Sequence, residues 1–138
     1  MPHFQKLTPN LIVSSVERSL TFYVDVLGFA RGMTVPESGP LVFASVTSGA
    51  IEIFLNAAGA VVDEQPDWSG RLVPSPAGGL FIELNAEEAG AIDALHDRIK
   101  DKSRVIMPVR TQWYGMREFA IEDPDGHVIT FAQRVEQR

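Results

Sequence analysis

LIVSSVERSLTFYVDVLGF, residues 11–29, is the stretch from which the fold of this chain is read. Upstream of it, Leu7, Pro9, Leu11 and Val13 alternate with Thr8, Asn10 and Ile12, the period of a half-buried strand over residues 7–13. Ser14 follows with Glu17 three positions on, the Ser-x-x-Glu pattern of a capping box, so a helix is expected to start there. Val16, Leu20, Tyr23, Val24 and Leu27 then recur at helical spacing and form one apolar face. Gly28 stands where a left-handed terminator is wanted.

Working outward, three short strand-like runs follow at 30–35, 40–46 and 50–56, separated by Ser38-Gly39 and Ser48-Gly49. Periodicity fades from Ala57 to Gly78, a stretch holding Pro66, Gly70, Pro74, Pro76 and Gly78, which predicts a long connecting loop. The order then repeats. Gly79 to Leu84 reads as a strand, and Asn85 with Glu88 as a second capping box. A helix is expected to run to about Lys100 with Ala89, Ile92, Leu95 and Ile99 inward, followed by strands at 104–111, 116–122 and 127–134. Strand, helix and three strands, written twice, predict an α+β fold of two βαβββ modules that share a single domain over 1–138. Module one spans about 5–56, the loop 57–78 and module two about 79–135.

With 138 residues the chain can bury roughly two-thirds of its unfolded surface. It has no cysteine, which excludes disulfides, thiolate metal sites and a cysteine nucleophile. Twelve basic against eighteen acidic side chains give a net charge of −6, with no basic cluster, so no nucleic-acid partner is expected. The opening Met-Pro-His-Phe-Gln-Lys carries no apolar leader and no run reaches membrane-spanning length, so the expected location is the cytoplasm, with no membrane partner.

The residues carry a family likeness. Leu11-Ile12-Val13, Glu17-Arg18-Ser19-Leu20, Phe22-Tyr23 and Leu27-Gly28-Phe29 resemble the opening module of the vicinal oxygen chelate superfamily, which groups glyoxalases, bleomycin-resistance proteins and extradiol dioxygenases. Trp113-Tyr114-Gly115-Met116-Arg117-Glu118-Phe119 with Glu122-Asp123-Pro124-Asp125-Gly126-His127 resembles its last hairpin. The resemblance covers nearly the whole chain and implies curled mixed sheets forming a cup, with helices outside. Pro124 and Gly126 suit a tight turn, so a structural role suffices for Asp123, Asp125 and Gly126.

Metal-dependent members place one His, Gln or Glu on the concave face of each of four strands. By the resemblance these positions fall on Thr8, Glu52, Gly79 and Thr130, of which only Glu52 is a competent donor. His3 lies in the N-terminal arm, His96 flanks the buried face of a helix, and alternation turns His127 away from the Thr130 side. No metal and no cofactor are expected, and the pattern stands nearest the metal-free bleomycin-resistance branch.

Alternation places Thr8, Asn10, Ile12, Glu52, Phe54, Phe81, Glu83, Glu118, Ala120, Thr130 and Ala132 inward, if Leu11, Val13, Ile51, Ile53, Leu80, Ile82, Phe119, Ile121, Ile129 and Phe131 face the helices. Carboxylates among aromatic rings suit an amphipathic cation. In bleomycin-resistance proteins the Trp matching Trp113 lines the drug crevice, which implies a stacking role for Trp113, the other reading being a packing residue at the dimer seam. The expected ligand set is Glu52, Phe54, Phe81, Glu83, Trp113, Tyr114, Arg117, Glu118 and Thr130, with Arg117 also a candidate partner for Glu52 or Glu83. Trp68 is read as a lid or an anchor, and Phe43 as facing either crevice or core. The first functional reading is a metal-free binding protein that confers antibiotic resistance, holding a hydrophobic or cationic small molecule at the crevice of a homodimer, as the resemblance implies. The alternative is a glyoxalase- or dioxygenase-like enzyme, a lyase, isomerase or oxygenase with a divergent or absent metal site and Glu52 or Glu83 as general base.

Overall fold

The structure, a computed structural model, describes residues 1–71, 79–85 and 87–135, without the side chains of Trp68, Ser69 and Arg71. The chain divides into two compact units, Met1–Val73 and Pro74–Arg138. The first unit holds strands β1 (Asn10–Val13), β2 (Ala30–Val35), β3 (Phe43–Ser48) and β4 (Ile51–Ala57) in one sheet of order β1-β4-β3-β2. The second holds β5 (Leu80–Glu83), β6 (Arg104–Thr111), β7 (Met116–Glu122) and β8 (Val128–Arg134) in order β5-β8-β7-β6. In each sheet the first and last strands pair in parallel and the other neighbours are antiparallel, so the two βαβββ modules expected from the sequence are present.

In the first unit helix α1 (Val16–Leu20) continues as a π-helical turn, Thr21–Val26, in which the Leu27 amide reaches the Phe22 carbonyl at 3.1 Å. The cap is Ser15 rather than Ser14: Ser15 Oγ accepts the Arg18 N–H, while Ser14 Oγ accepts from the Arg18 guanidinium. Glu17 does not close a capping box. Its carboxylate reaches out to accept the Leu41 N–H at 2.9 Å, which holds its pKa below the ordinary carboxylate value. Val16, Leu20 and Tyr23 are buried with Val13, Ala44, Val46, Ile53 and Leu55, so the core of this unit lies between helix and sheet. The first strand is shorter than the alternation of 7–13 predicts, because only Asn10–Val13 has a partner on β4.

Residues 57–78 are not one irregular loop. Ala58–Glu64 forms helix α2 and Pro66–Arg71 a 3-10 turn, while 72–78 lie outside the described residues. The expected role of Trp68 concerns a side chain that also lies outside them.

In the second unit helix α3 spans Ala91–Ile99, starting later than the Asn85-to-Glu88 pattern predicts. Gly90, at φ +83°, leads into it and offers no side chain to cap it. The cap comes instead from β8: Gln133 Oε1 accepts the Ile92 N–H at 2.9 Å and its Nε2 donates to the Glu88 carbonyl at 2.7 Å. Ala89 is exposed, and the buried face is Ile92 and Ile99 against Phe119, Ile121, Ile129 and Phe131. His96 lies beside this face with its ring edge-on to Phe119 at 5.1 Å. The β7–β8 turn is fastened by Asp123, whose Oδ1 accepts the N–H groups of Asp125 and His127, and Gly126 supplies the positive φ of +87°. Ahead of β5, Gly79 passes so close to β8 that a Cβ there would stand 2.5 Å from the Val128 carbonyl oxygen.

Candidate functional site

The main helix of each unit packs on one face of its sheet, and the expected ligand residues of the strands, Arg117 excepted, lie on the other. On the first sheet, register places Asn10 beside Phe54 and Phe54 beside Ser45, with Ile12, Asn56 and Phe43 in the next row. Phe43 and Phe54 meet edge-on at 5.2 Å, so Phe43 belongs to this face rather than to the helix side. Asn56 and Asn10 join through their side-chain amides. Glu52 is bound by the Lys6 ammonium at 2.6 Å, not by Arg117.

On the second sheet the corresponding face is built in rows across the strands. Phe81, Thr130, Ala120 and Met107 form one, and Glu83, Ala132, Glu118 and Arg110 the next. Phe81 is 57% exposed, and Glu83 is exposed. Glu118 is 3% exposed. Its Oε2 accepts the Tyr114 hydroxyl at 2.7 Å and its Oε1 the Gln112 amide at 3.4 Å. That hydrogen bond is the first cause raising the Tyr114 phenol above its ordinary pKa. Tyr114 is 41% exposed and meets Trp113, itself 89% exposed, edge-on at 5.3 Å.

Phe81, Glu83, Glu118 and Thr130 therefore share one sheet face, with Tyr114 reaching in and Trp113 beside it, while Glu52 and Phe54 belong to the face of the other unit. Arg117 is not brought to either. Being next to Glu118 in the strand it points to the helix side, where it grips Asp93 through two bonds of 2.9 and 2.8 Å. The pairing lowers the Asp93 pKa and raises that of Arg117. Gln112 and Arg110 are members of the Glu118 surroundings that the sequence reading did not single out. Arg110 faces Glu118 only through the register of β6, whose pairing with β7 is interrupted by two irregularities that strict alternation does not anticipate.

The four positions that the resemblance assigns to metal ligands do not fit a metal centre. Thr8, Gly79 and Thr130 offer no imidazole or carboxylate, Glu52 is engaged by Lys6, and no three His, Asp or Glu side chains converge among the described residues. A separate cleft of about 390 Å³ lies in the first unit, lined by α1, its π-helical extension, Arg31, residues 37–39 and Leu41, and none of the expected ligand residues borders it. Among the described residues no helix is long and apolar enough to cross a membrane.

Residues 1–131 match the family described as Glyoxalase/Bleomycin resistance protein/Dioxygenase superfamily. A bleomycin resistance protein of Geobacillus stearothermophilus is 32% identical over 136 residues, covering 92% of this chain and 95% of that protein. One from Staphylococcus aureus matches to the same extent. Among solved structures, TioX from Micromonospora sp. ML1 is similar with a TM-score of 0.72 at 18% identity, over 96% of this chain and 100% of that one. The bleomycin-binding protein of Streptomyces verticillus, complexed with copper(II)-bleomycin, is similar with a TM-score of 0.62 at 24% identity, over 99% and 100%. The repeated strand order, the fastened Asp-Pro-Asp-Gly turn and these matches agree: the chain belongs to the glyoxalase/bleomycin resistance protein/dioxygenase superfamily.

Proposed function

We propose that this chain is a cytoplasmic small-molecule binding protein of the bleomycin-resistance type. It sequesters an amphipathic cationic compound without a metal, in a crevice completed by a second copy of the chain. One observation carries the reading: Trp113, largely in water, stands edge-on to the partly exposed Tyr114 next to a buried carboxylate. Two large rings left exposed on a turn are costly to keep wet and supply rigid stacking area to a planar ligand. Phe81 adds a third ring on the same sheet, and Thr130 and Glu83 supply polar neighbours. The relatives named bleomycin resistance protein support bleomycin-type glycopeptides as the first compounds to try.

Isothermal calorimetry of the full chain against bleomycin is the test. Saturable binding is expected, weakened about 30-fold in Trp113→Ala, the loss typical of an aromatic anchor. Absence of heat across bleomycin and a panel of cationic antibiotics would overturn the reading.

A further inference from the structure

Glu118 is a buried carboxylate whose two hydrogen-bond donors are both neutral, and this points to the chemical class of the ligand. The carboxylate is almost fully buried on β7, a strand paired on both sides and so unable to shift. Both of its hydrogen-bond partners are neutral, and the second, from Gln112, is long. No Lys or Arg lies within ion-pair distance of it among the described residues; Arg117 is committed to Asp93 on the opposite face, and Arg110, across the strand, is exposed. The carboxylate has thus exchanged its hydration for two neutral donors, with Arg110 a cross-strand neighbour rather than a direct ion-pair partner. Tyr114, by contrast, sits on the turn Gln112–Gly115, closed by the Gly115 N–H to the Gln112 carbonyl at 3.1 Å, and it is open to solvent.

We propose that Tyr114 is a latch on Glu118: its hydroxyl holds the carboxylate in the free protein and yields it to a cation that carries N–H groups, an ammonium, amidinium or guanidinium. The inference rests on the binding reading above and adds to it a rule for the ligand. A departing O–H donor must be replaced by another donor, or the buried oxygen loses its bond. An N–H cation replaces both bond and charge, whereas a quaternary ammonium brings charge alone. The flanking residue Ala132 is small, and Glu83 stands beyond it in the same row, about 10 Å from Glu118 at two strand spacings. Ala132 is itself fully buried, so a cation would reach Glu118 from the exposed Tyr114 side, with Glu83 the next carboxylate in the row. The raised pKa of Tyr114 agrees with a phenol whose proton is held by the carboxylate.

The test compares benzamidinium with phenyltrimethylammonium, two aromatic cations differing in N–H donors, by calorimetry on the intact protein. Benzamidinium is expected to bind at least about tenfold more tightly, the value of a hydrogen bond to a charged group. Tyr114→Phe should tighten benzamidinium severalfold by removing the competitor, and Glu118→Gln should abolish the preference. Equal affinities in the wild-type protein, or no binding of either cation at millimolar concentration, would overturn the latch, and neither outcome depends on a variant folding. If bleomycin binds while the two cations do not differ, the latch fails and the binding reading stands; if bleomycin and both cations are silent, both fail.

Discussion

Asp93 and Arg117 show how one ion pair fixes an element rather than a ligand. The guanidinium reaches across from β7 to α3 and donates from two of its nitrogens, Nε and Nη2, to the Asp93 carboxylate. Because the Asp93 pKa is lowered in the folded chain, its contribution is full above the unfolded value of about 3.9 and is lost as pH falls through the folded value. Asp93→Asn is therefore expected to cost about 0.5–1 kcal/mol at neutral pH, the range of a partly exposed pair. In urea denaturation followed from pH 7 downward, the stabilities of the two proteins should converge below about pH 4. A constant difference across that range would show that the pair contributes no pH-dependent stability.

At the scale of elements, the placing of α3 is a long-range event. Gln133 and Arg117 are cross-strand neighbours, and together they fasten the first turn of the helix through Ile92 and Asp93. Gln133→Ala leaves the buried Ile92 amide without its acceptor and should destabilise the protein by about 1–3 kcal/mol. Hydrogen exchange at Ile92 should rise ahead of that at the central strands; unchanged exchange there would rule out the capping role. This also explains what the sequence disclosed. Alternation in β4, β5, β7 and β8 made their two faces legible, and helical spacing from Val16 onward made the first module legible. The start of α3 was not, because its cap lies 41 residues away from Ile92. Two adjacent serines left the first cap to be decided by backbone geometry, and α2, at seven residues, is too short to show a period. Within the site, the same alternation that placed Glu118 on the face away from the helix should have sent Arg117 to the other, and the structure separates them so.

For the whole molecule, the net charge of −6 gives cationic compounds a long-range attraction that no single contact supplies. Association rates for a cationic ligand are expected to fall severalfold between low salt and physiological ionic strength, where screening acts over about 8 Å. Stopped-flow tryptophan fluorescence measures this directly, and a salt-independent rate would remove global charge from the account. Two units with the same strand order are chemically unequal: on the sheet face away from the helix, one has its carboxylate tied down by a lysine and the other keeps a buried carboxylate under a phenol.

The narrow passage at Gly79 has a bearing on how this lineage can change. A histidine installed there to rebuild an ion-binding centre would meet a main-chain oxygen of β8, which cannot swing aside as a flexible side chain would. A designer seeking to graft metallo-catalysis onto this scaffold would first have to separate two hydrogen-bonded strands.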